Sequence, residues 1–238
     1  MLLGISILFI VSCDFLEDFE KGNGNITTRV IDVQDFSDIR IGGNFDVTLL
    51  QSDKHEVRLI TDENLQEFIT TEVENGILEI TQEKKLISKK KIRAVIEFSS
   101  IDELRIMGAA MISNEDYIVE KELELRMEGA GMVDIRVKTG QLMVNLSGAG
   151  IVKLAGETDD LDLNLSGAGS VKAFNLESTL CKVVVSGLGG AEVFVTENLD
   201  ATIEGVGGIQ YEGNPPHVKS VVNGLGKIRP LDHQKENY

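Results

Sequence analysis

The pentapeptide LSGAG occurs at residues 146–150 and again at 165–169, and looser copies follow as VSGLG (185–189), IEGVG (203–207) and VNGLG (222–226). A phosphate-binding loop needs its glycines once and is followed by a helix. Here the residues after the glycines alternate between apolar and polar, as they do in a β-strand. The repetition therefore indicates a structural unit that stacks on copies of itself.

The first glycine of each copy marks a nearly constant period. The markers are Gly108, Gly129, Gly148, Gly167, Gly187, Gly205 and Gly224. The steps between them are 21, 19, 19, 20, 18 and 19 residues. Such a period is typical of a solenoid, in which each coil packs on the next one.

Alternating positions within each repeat predict which side chains face the interior. Residues two, four and six positions before each marker are mostly apolar, so they share one face of an extended strand. The column six positions before the marker contains Leu123, Leu142, Leu161, Cys181, Leu199 and Val218. Five positions after the marker an outward polar column follows, made of Asp134, Lys153, Lys172, Glu192, Gln210 and Arg229.

Each coil is therefore predicted to contain a strand, a Gly-x-Gly turn, a second strand and a polar loop such as AGETDD at 155–160. Glycine tolerates positive φ and close backbone approach, so we expect both at these corners. The predicted fold is all-β: a single-stranded β-helix or β-solenoid of stacked coils about 19 residues long.

The pattern also predicts the domain organisation. One domain is expected over 29–229, with irregular coils at 29–105 and regular Gly-x-Gly repeats at 106–229. The irregular part should cap one end, and the segment 229–238 should finish the other, with 230–238 forming a polar tail. The stretch ENLQEFIT (63–70) is expected to contain one helical turn.

The N-terminus resembles a bacterial lipoprotein signal. Residues 2–11 form an uncharged apolar run, too short for the roughly 20 residues that span a bilayer. The run ends in IVSC (Ile10–Cys13), which resembles a lipobox. This implies that residues 1–12 are removed, that Cys13 is lipidated, and that 13–28 is an acidic, Gly- and Asn-containing tether. The alternative is a buried N-terminal strand in which Cys13 is incidental.

The chain as a whole resembles the head GIN domain family, also described as putative auto-transporter adhesins. The resemblance rests on FSDIRIGGNFDVTLLQ (36–51), TDENL (61–65), NGILEIT (75–81) and the ladder of SGAG-like turns that ends in GIQYEGNP (208–215). It implies a β-solenoid on a secreted or lipid-anchored bacterial protein. Together with the lipobox, it implies an outer-membrane lipoprotein of a Gram-negative envelope, at the cell surface or facing the periplasm.

Composition excludes one class of partner. The formal net charge of −16 opposes binding to nucleic-acid phosphates, which requires concentrated positive charge. Aromatic residues make up only 5% of the chain, so stacking platforms for sugars are scarce. No cofactor is expected.

The residue types that usually carry catalysis do not form a recognisable motif. Cys181 falls in the interior column, and His55, His217 and His233 have no metal-ligand spacing. A cluster of loop carboxylates recurs between neighbouring coils and consists of Glu157, Asp159, Asp160, Glu177 and Glu197. Such oxygen ligands would suit Ca²⁺, and the alternative is a solvated acidic corner.

Positive charge is concentrated in one segment, KKLISKKKIR (84–93). Its basic residues are Lys84, Lys85, Lys89, Lys90, Lys91 and Arg93. They would suit an anionic polysaccharide, lipid headgroups or an acidic partner protein. The alternative is a hairpin connection whose lysines prevent edge-to-edge aggregation.

Two functional hypotheses follow. The first is a non-catalytic envelope lipoprotein that binds a polysaccharide or protein ligand along the solenoid, or acts as a spacer, because solenoids present extended regular surfaces. The second is a carbohydrate-active β-helix enzyme, which would need a groove with clustered carboxylates.

Overall fold

The computed structural model of the protein describes residues 19–231. Most of this region is β-strand with almost no helix, and its strands stack as parallel coils, which confirms the predicted β-solenoid. The helical turn predicted at 63–70 is also confirmed, as a 3₁₀ helix over Glu63–Phe68.

The first part of the domain consists of short strands on both sides of the 3₁₀ helix. They are β1 (Phe19–Lys21), β2 (Ile26–Asp32), β3 (Asp38–Gly42), β4 (Asn44–Gln51), β5 (Glu56–Asp62), β6 (Ile69–Glu74), β7 (Ile77–Gln82), β8 (Lys85–Ile87) and β9 (Arg93–Phe98). Strands β7 and β9 stack in parallel on β3 and β4. By contrast, β5 runs antiparallel to both β2 and β9, and β6 runs antiparallel to β7.

The regular coils follow, and their strands lengthen toward the middle of the stack. They are β10 (Glu103–Ile106), β11 (Ala109–Asn114), β12 (Ile118–Met127), β13 (Ala130–Leu146), β14 (Ala149–Leu165), β15 (Ala168–Val185), β16 (Leu188–Ile203), β17 (Val206–Glu212), β18 (His217–Val222) and β19 (Leu225–Pro230). Each strand pairs in parallel with the strand or strands of the next coil.

The register places equivalent positions of successive coils directly above one another. In one column Val144 pairs with Leu163 and Leu163 pairs with Val183, and all three side chains are completely buried. Because the side chains of a strand alternate between faces, one aliphatic stack fills the interior while polar residues cover the outside. The interior columns predicted from the sequence are confirmed here.

The predicted polar loops are wrong for the middle coils, where β13 to β16 each run without a break, whereas short polar connections do occur at 115–117 and 213–216. The stretch 155–160 lies inside β14, which runs unbroken from Ala149 to Leu165. Thr158 within it is 4% exposed and donates a hydrogen bond from its hydroxyl to the Asp160 carbonyl. Polar composition suggested a loop, but the ladder to both neighbouring coils satisfies the backbone of these residues.

The turn glycines are required by crowding. A Cβ at Gly167 would lie 2.0 Å from the Gly148 carbonyl oxygen of the preceding coil. That oxygen accepts a hydrogen bond from the Ala168 N–H at 3.0 Å, so it has no room to move. The expected positive φ at the marker glycine is wrong for Gly167; it appears at the second glycine of some turns, as at Gly131 (133°) and Gly189 (146°).

The folded region begins earlier than the predicted boundary at residue 29. Residues 19–21 form β1, and β2 starts at Ile26, so the second half of the predicted 13–28 tether belongs to the domain. The Asp, Glu, Gly and Asn residues of this stretch are typical of a linker, which is why its composition predicted a tether. The predicted signal segment 1–12 and Cys13 lie outside the described residues.

The last coil differs from those before it. Val218 pairs with the buried Leu199 but is itself 43% exposed, because in the described structure no further coil covers β18. The Leu231 N–H donates to the Tyr211 carbonyl at 2.8 Å, which ends the ladder next to Pro230. The rest of the predicted tail, 232–238, lies outside the described residues. No helix in the region 19–231 is long and apolar enough to cross a membrane.

Candidate functional site

Cys181 lies in the interior, as its column predicted. It is 3% exposed and stacks between Leu161 and Leu199. Burial raises the pKa of the Cys181 thiol far above its ordinary value, with the carboxylates of Asp162 and Asp160 adding to the effect. A catalytic cysteine needs an accessible thiolate, so Cys181 is a packing residue.

His55 makes contacts that sequence reasoning did not predict. Its Nδ1 lies 3.1 Å from Asp35 Oδ1, and its Nε2 lies 3.1 Å from the Ser99 hydroxyl. This is the order of groups in a Ser-His-Asp triad. However, the Asp35 side chain is 96% exposed, so water competes for the carboxylate that would have to orient the imidazole. We interpret these contacts as structural: they join the connection before β3, which contains Asp35, to His55 before β5 and to Ser99 after β9.

His217, the one other histidine in the region 19–231, forms no site with His55. His217 is exposed at the start of β18, and His233 lies outside the described residues. The contacts of His55 link positions 35, 55 and 99, which are too far apart in the chain for any local pattern to reveal.

The acidic residues proposed as calcium ligands are only partly brought together. Glu157 and Glu177 are register neighbours on β14 and β15. Glu157 forms an ion pair with Lys138 at 3.0 Å, and bulges between β15 and β16 leave Glu197 out of the paired column. Asp159 and Asp160 lie on β14 beyond Thr158. Within residues 19–231 no group of three or more His, Cys, Asp or Glu side chains is placed to hold a metal ion.

Many surface charges instead join neighbouring coils. Ion pairs connect Lys153 with Asp134 (3.6 Å), Lys182 with Asp162 (3.8 Å) and Lys219 with Asp200 (2.7 Å). In each pair the two residues occupy the same position in consecutive coils. The change of sign along the outward columns is therefore explained by cross-coil pairing on the solenoid surface.

The basic segment 84–93 is a folded part of the N-terminal region. Its first residues form β8, which pairs in parallel with β1, and its last residue begins β9. Lys84 lies over the Phe68 ring at 4.2 Å, and the Lys91 ammonium lies 3.2 Å from the Asp46 carboxylate. The other basic residues of the segment are all exposed: Lys85, Lys89, Lys90 and Arg93.

Asp62 holds this basic segment in place from inside the domain. Its side chain is almost completely buried and accepts hydrogen bonds from the Ser88 hydroxyl and from the Gly24 N–H (2.6 Å). The Ser88 oxygen in turn accepts from the Lys90 N–H at 3.2 Å. The Ser88 hydrogen bond is the main reason that the pKa of Asp62 is below its usual value; the Gly24 N–H and the charge of Lys89 add to it.

A cleft of about 360 Å³ separates this segment from the solenoid wall. Lys89, Lys90 and Lys91 line one side, and Asp46 and Met111 line the other. Lysine ammonium groups are suited to anions, but the Asp46 carboxylate already pairs with Lys91 inside the cleft. Lys89 and Lys90 remain as exposed cations at this cleft.

A second, shallower groove crosses the glycine side of the last coils and has a volume of about 490 Å³. Ser170, Gly190, Gly208 and Lys227 occupy equivalent positions on successive strands, and the two glycines leave a depression there. Its polar rim is formed by Glu192, Gln210 and Arg229. Such a groove offers hydrogen-bonding groups at the spacing of successive coils, about 4.8 Å.

Comparison with known proteins agrees with this architecture. The profile of the family described as "Putative auto-transporter adhesin, head GIN domain" matches residues 35–215. A crystal structure of a putative adhesin from Bacteroides fragilis is 26% identical and superimposes with a TM-score of 0.86 over 89% of this chain and 100% of that one.

Two more solved structures share the fold, and each alignment covers 90% of this chain and 100% of the other one. A putative lipid binding protein from Parabacteroides distasonis is 24% identical with a TM-score of 0.71. A putative adhesin from Parabacteroides merdae is 23% identical with a TM-score of 0.67. No curated protein matches the chain.

Proposed function

Since the chain belongs to the head GIN domain family of putative auto-transporter adhesins, we propose that it is a non-catalytic, adhesin-like protein of the bacterial envelope. In this proposal Cys13 carries the lipid anchor, and the outer membrane holds the solenoid at the cell surface or on the periplasmic side. The folded domain then presents its regular surface to a polysaccharide or protein ligand.

The observation that carries the binding role is the groove on the glycine side. It extends across strands of successive coils, from Ser170 to Lys227, and it is open to solvent and rimmed by polar groups. A ligand with a repeating, extended backbone would make similar contacts with each coil. The solenoid interior, by comparison, is filled with aliphatic side chains and offers no buried site of this kind.

The enzymatic alternative gains no support from this groove. Glycosidases use a pair of carboxylates on either side of the scissile bond. Glu192 is the one carboxylate among the described residues that line the groove.

The anchor is tested by Cys13→Ala. The variant should move from the membrane fraction to the soluble fraction of the cell, because the acyl chains attach to that sulfur. Cys181→Ala is the matched control: it removes the other cysteine and leaves Cys13 in place, so this variant should remain membrane-bound. A Cys13→Ala protein that stays in the membrane fraction after a wash with high salt would contradict the lipoprotein proposal.

The groove is tested in the released Cys13→Ala protein by Gly208→Leu. A Cβ at Gly208 meets only the Lys227 carbonyl oxygen, at 3.7 Å, so the larger side chain should fill the groove while the domain stays folded. We expect it to weaken binding to isolated extracellular polysaccharide about tenfold, whereas Lys172→Leu outside the groove should not. Equal binding by the two variants would show that the polysaccharide does not bind in this groove.

A further inference from the structure

We infer that β1, β8 and the basic segment form a membrane-docking surface that contacts the anionic headgroups of a phospholipid bilayer. The inference rests on the proposed lipid anchor and adds how the domain is oriented: this end of the solenoid lies against the membrane and the last coils point away. The ribbon formed by β1 and β8 provides the first observation.

One face of this ribbon combines large apolar and basic side chains. In the parallel register Phe19 pairs with Lys85, and Lys21 pairs with Ile87. All four residues are exposed, with Phe19 at 56% and Ile87 at 43%. The side chain of Leu86, on the opposite face, packs against the core. Aromatic and aliphatic groups beside lysines are characteristic of surfaces that insert at the membrane interface.

The charge of the adjoining segment points to the same partner. Residues 84–93 contain six basic and no acidic residues, in a chain whose net charge is −16. Lysines near an anionic leaflet strengthen binding through their attraction to the negative surface potential. Lys89 and Lys90, which follow β8, are exposed as well, and Lys91 forms an ion pair with Asp46.

The surface is fixed before it meets a membrane. The Asp62 carboxylate binds the Ser88 hydroxyl and the Gly24 N–H, which joins the basic segment to the chain that follows β1. The Gly22 N–H also donates to the Ile87 carbonyl at 2.9 Å. Binding therefore does not require the ribbon to become ordered, which is a cost that weakens binding by unstructured basic segments.

The position of β1 in the chain brings this surface close to the proposed anchor. Only residues 14–18 separate Cys13 from Phe19. At roughly 3.5 Å per residue, these few residues span about 20 Å when fully extended. An anchor at Cys13 would hold Phe19 and Lys85 near the headgroups at high effective concentration.

Protection of a strand edge against aggregation explains fewer of the residues on the ribbon face than membrane contact does. Lysines on β8 would discourage pairing with another chain. Exposed Phe19 and Ile87 on the same face would instead favour association, so edge protection accounts for the lysines but leaves both apolar side chains unexplained. Membrane contact accounts for all four residues of the ribbon face.

The test uses the full chain with Cys13→Ala, so that acylation contributes nothing. Sedimentation with vesicles of phosphatidylcholine alone should show little binding, and vesicles with 30% phosphatidylglycerol should bind the protein. Combining Lys85→Gln, Lys89→Gln and Lys90→Gln should weaken that binding at least tenfold. A matched triple variant, Lys172→Gln, Lys182→Gln and Lys227→Gln, changes net charge equally and should bind within twofold of its parent.

The apolar contribution is measured with Phe19→Ser. It should weaken vesicle binding severalfold while leaving the dependence on salt concentration unchanged, because it removes no charge. Circular dichroism of every variant must retain the β spectrum. Equal losses in the two triple variants, or no binding by the parent, would overturn the inference.

The outcomes separate this inference from the proposed function. Release of Cys13→Ala from cell membranes together with failed vesicle binding removes the docking surface and leaves the lipoprotein proposal intact. Vesicle binding by a chain that proves not to be acylated removes the anchor and leaves the surface. Tighter binding of the basic segment to an acidic polysaccharide than to anionic vesicles would overturn the choice of a lipid surface.

Discussion

The two ends of the described solenoid are built differently. At the N-terminal end the antiparallel strands β2, β5 and β6 lie against the first coils, and aromatic side chains such as Phe45 and Phe98 fill the core beneath them. At the other end, Val218 and Val222 occupy the same columns as buried residues of earlier coils, yet they are 43% and 47% exposed.

The repeat therefore determines which column a residue belongs to, but not whether that residue is buried. Each coil buries its aliphatic residues with the help of a neighbour on either side. The N-terminal region supplies that neighbour through irregular strands and bulky side chains. The last coil has its predecessor beneath it and no further described strand above it.

The largest effect is expected at the crowded turns of the middle coils. Gly167→Ala should lower the free energy of unfolding by about 3 kcal/mol or more, because a Cβ would lie 2.0 Å from a backbone oxygen held in the ladder. Gly208→Ala is the matched control near the last coil, where the added Cβ finds 3.7 Å, and should cost less than about 0.5 kcal/mol. Denaturant unfolding of both variants measures this, and similar shifts would show that turn crowding is not what requires glycine.

The interior column gives the next largest effect. Val185 is completely buried and Val222, in the same column, is 47% exposed. Val185→Ala should destabilise the domain by about 2–3 kcal/mol, since it removes methyl groups from a packed interior. Val222→Ala should cost less than about 1 kcal/mol. If both variants lost the same free energy of unfolding, measured by thermal or denaturant unfolding, the last coil would be covered as fully as the middle ones.

A smaller, pH-dependent effect is expected where Asp62 joins the N-terminal elements. Folding lowers the pKa of the Asp62 carboxyl, so the ionised carboxylate stabilises the folded state. This contribution to the free energy of unfolding is complete above the ordinary aspartate pKa of about 3.9, and it is lost as the pH falls through the lower pKa of the folded state. Asp62→Asn should cost about 1–2 kcal/mol near pH 7. The gap in Tm between wild type and variant should narrow below about pH 4.

The exposed position Asp159 provides the control for Asp62. Asp159→Asn should leave Tm nearly unchanged between pH 3 and pH 7. A gap between wild type and Asp62→Asn that stays constant down to pH 2 would contradict the role of the ionised Asp62 carboxylate in the N-terminal end.

The smallest effect is expected for the polar contact at Ser99. Ser99→Ala removes one exposed hydrogen bond to His55 and should change stability by less than about 0.5 kcal/mol. It should also leave unchanged any slow hydrolysis of p-nitrophenyl acetate by the protein. A clear loss of hydrolysis would show that Asp35, His55 and Ser99 act as a catalytic triad.

Much of the regular part of the fold could be predicted from local pattern. Period, strand direction and the interior position of Cys181 all follow from spacing, because every coil repeats the same local conformation. The antiparallel strands of the N-terminal end could not be predicted this way, since β2 and β5 contact each other only through the tertiary fold. The stretch 155–160 was also misjudged, because its ladder partners lie one coil away.

The solenoid follows from the repeat alone: with a glycine about every 19 residues and aliphatic residues at alternate positions, stacked parallel coils are the structure that buries those aliphatic residues. Three features depend on contacts between distant segments: antiparallel strands cover the N-terminal end, Asp62 meets Ser88, and Phe19 and Lys85 share one face. A repeat is local and can therefore be recognised from the sequence. These contacts join residues of distant segments, which come together only when the coils and the N-terminal strands pack.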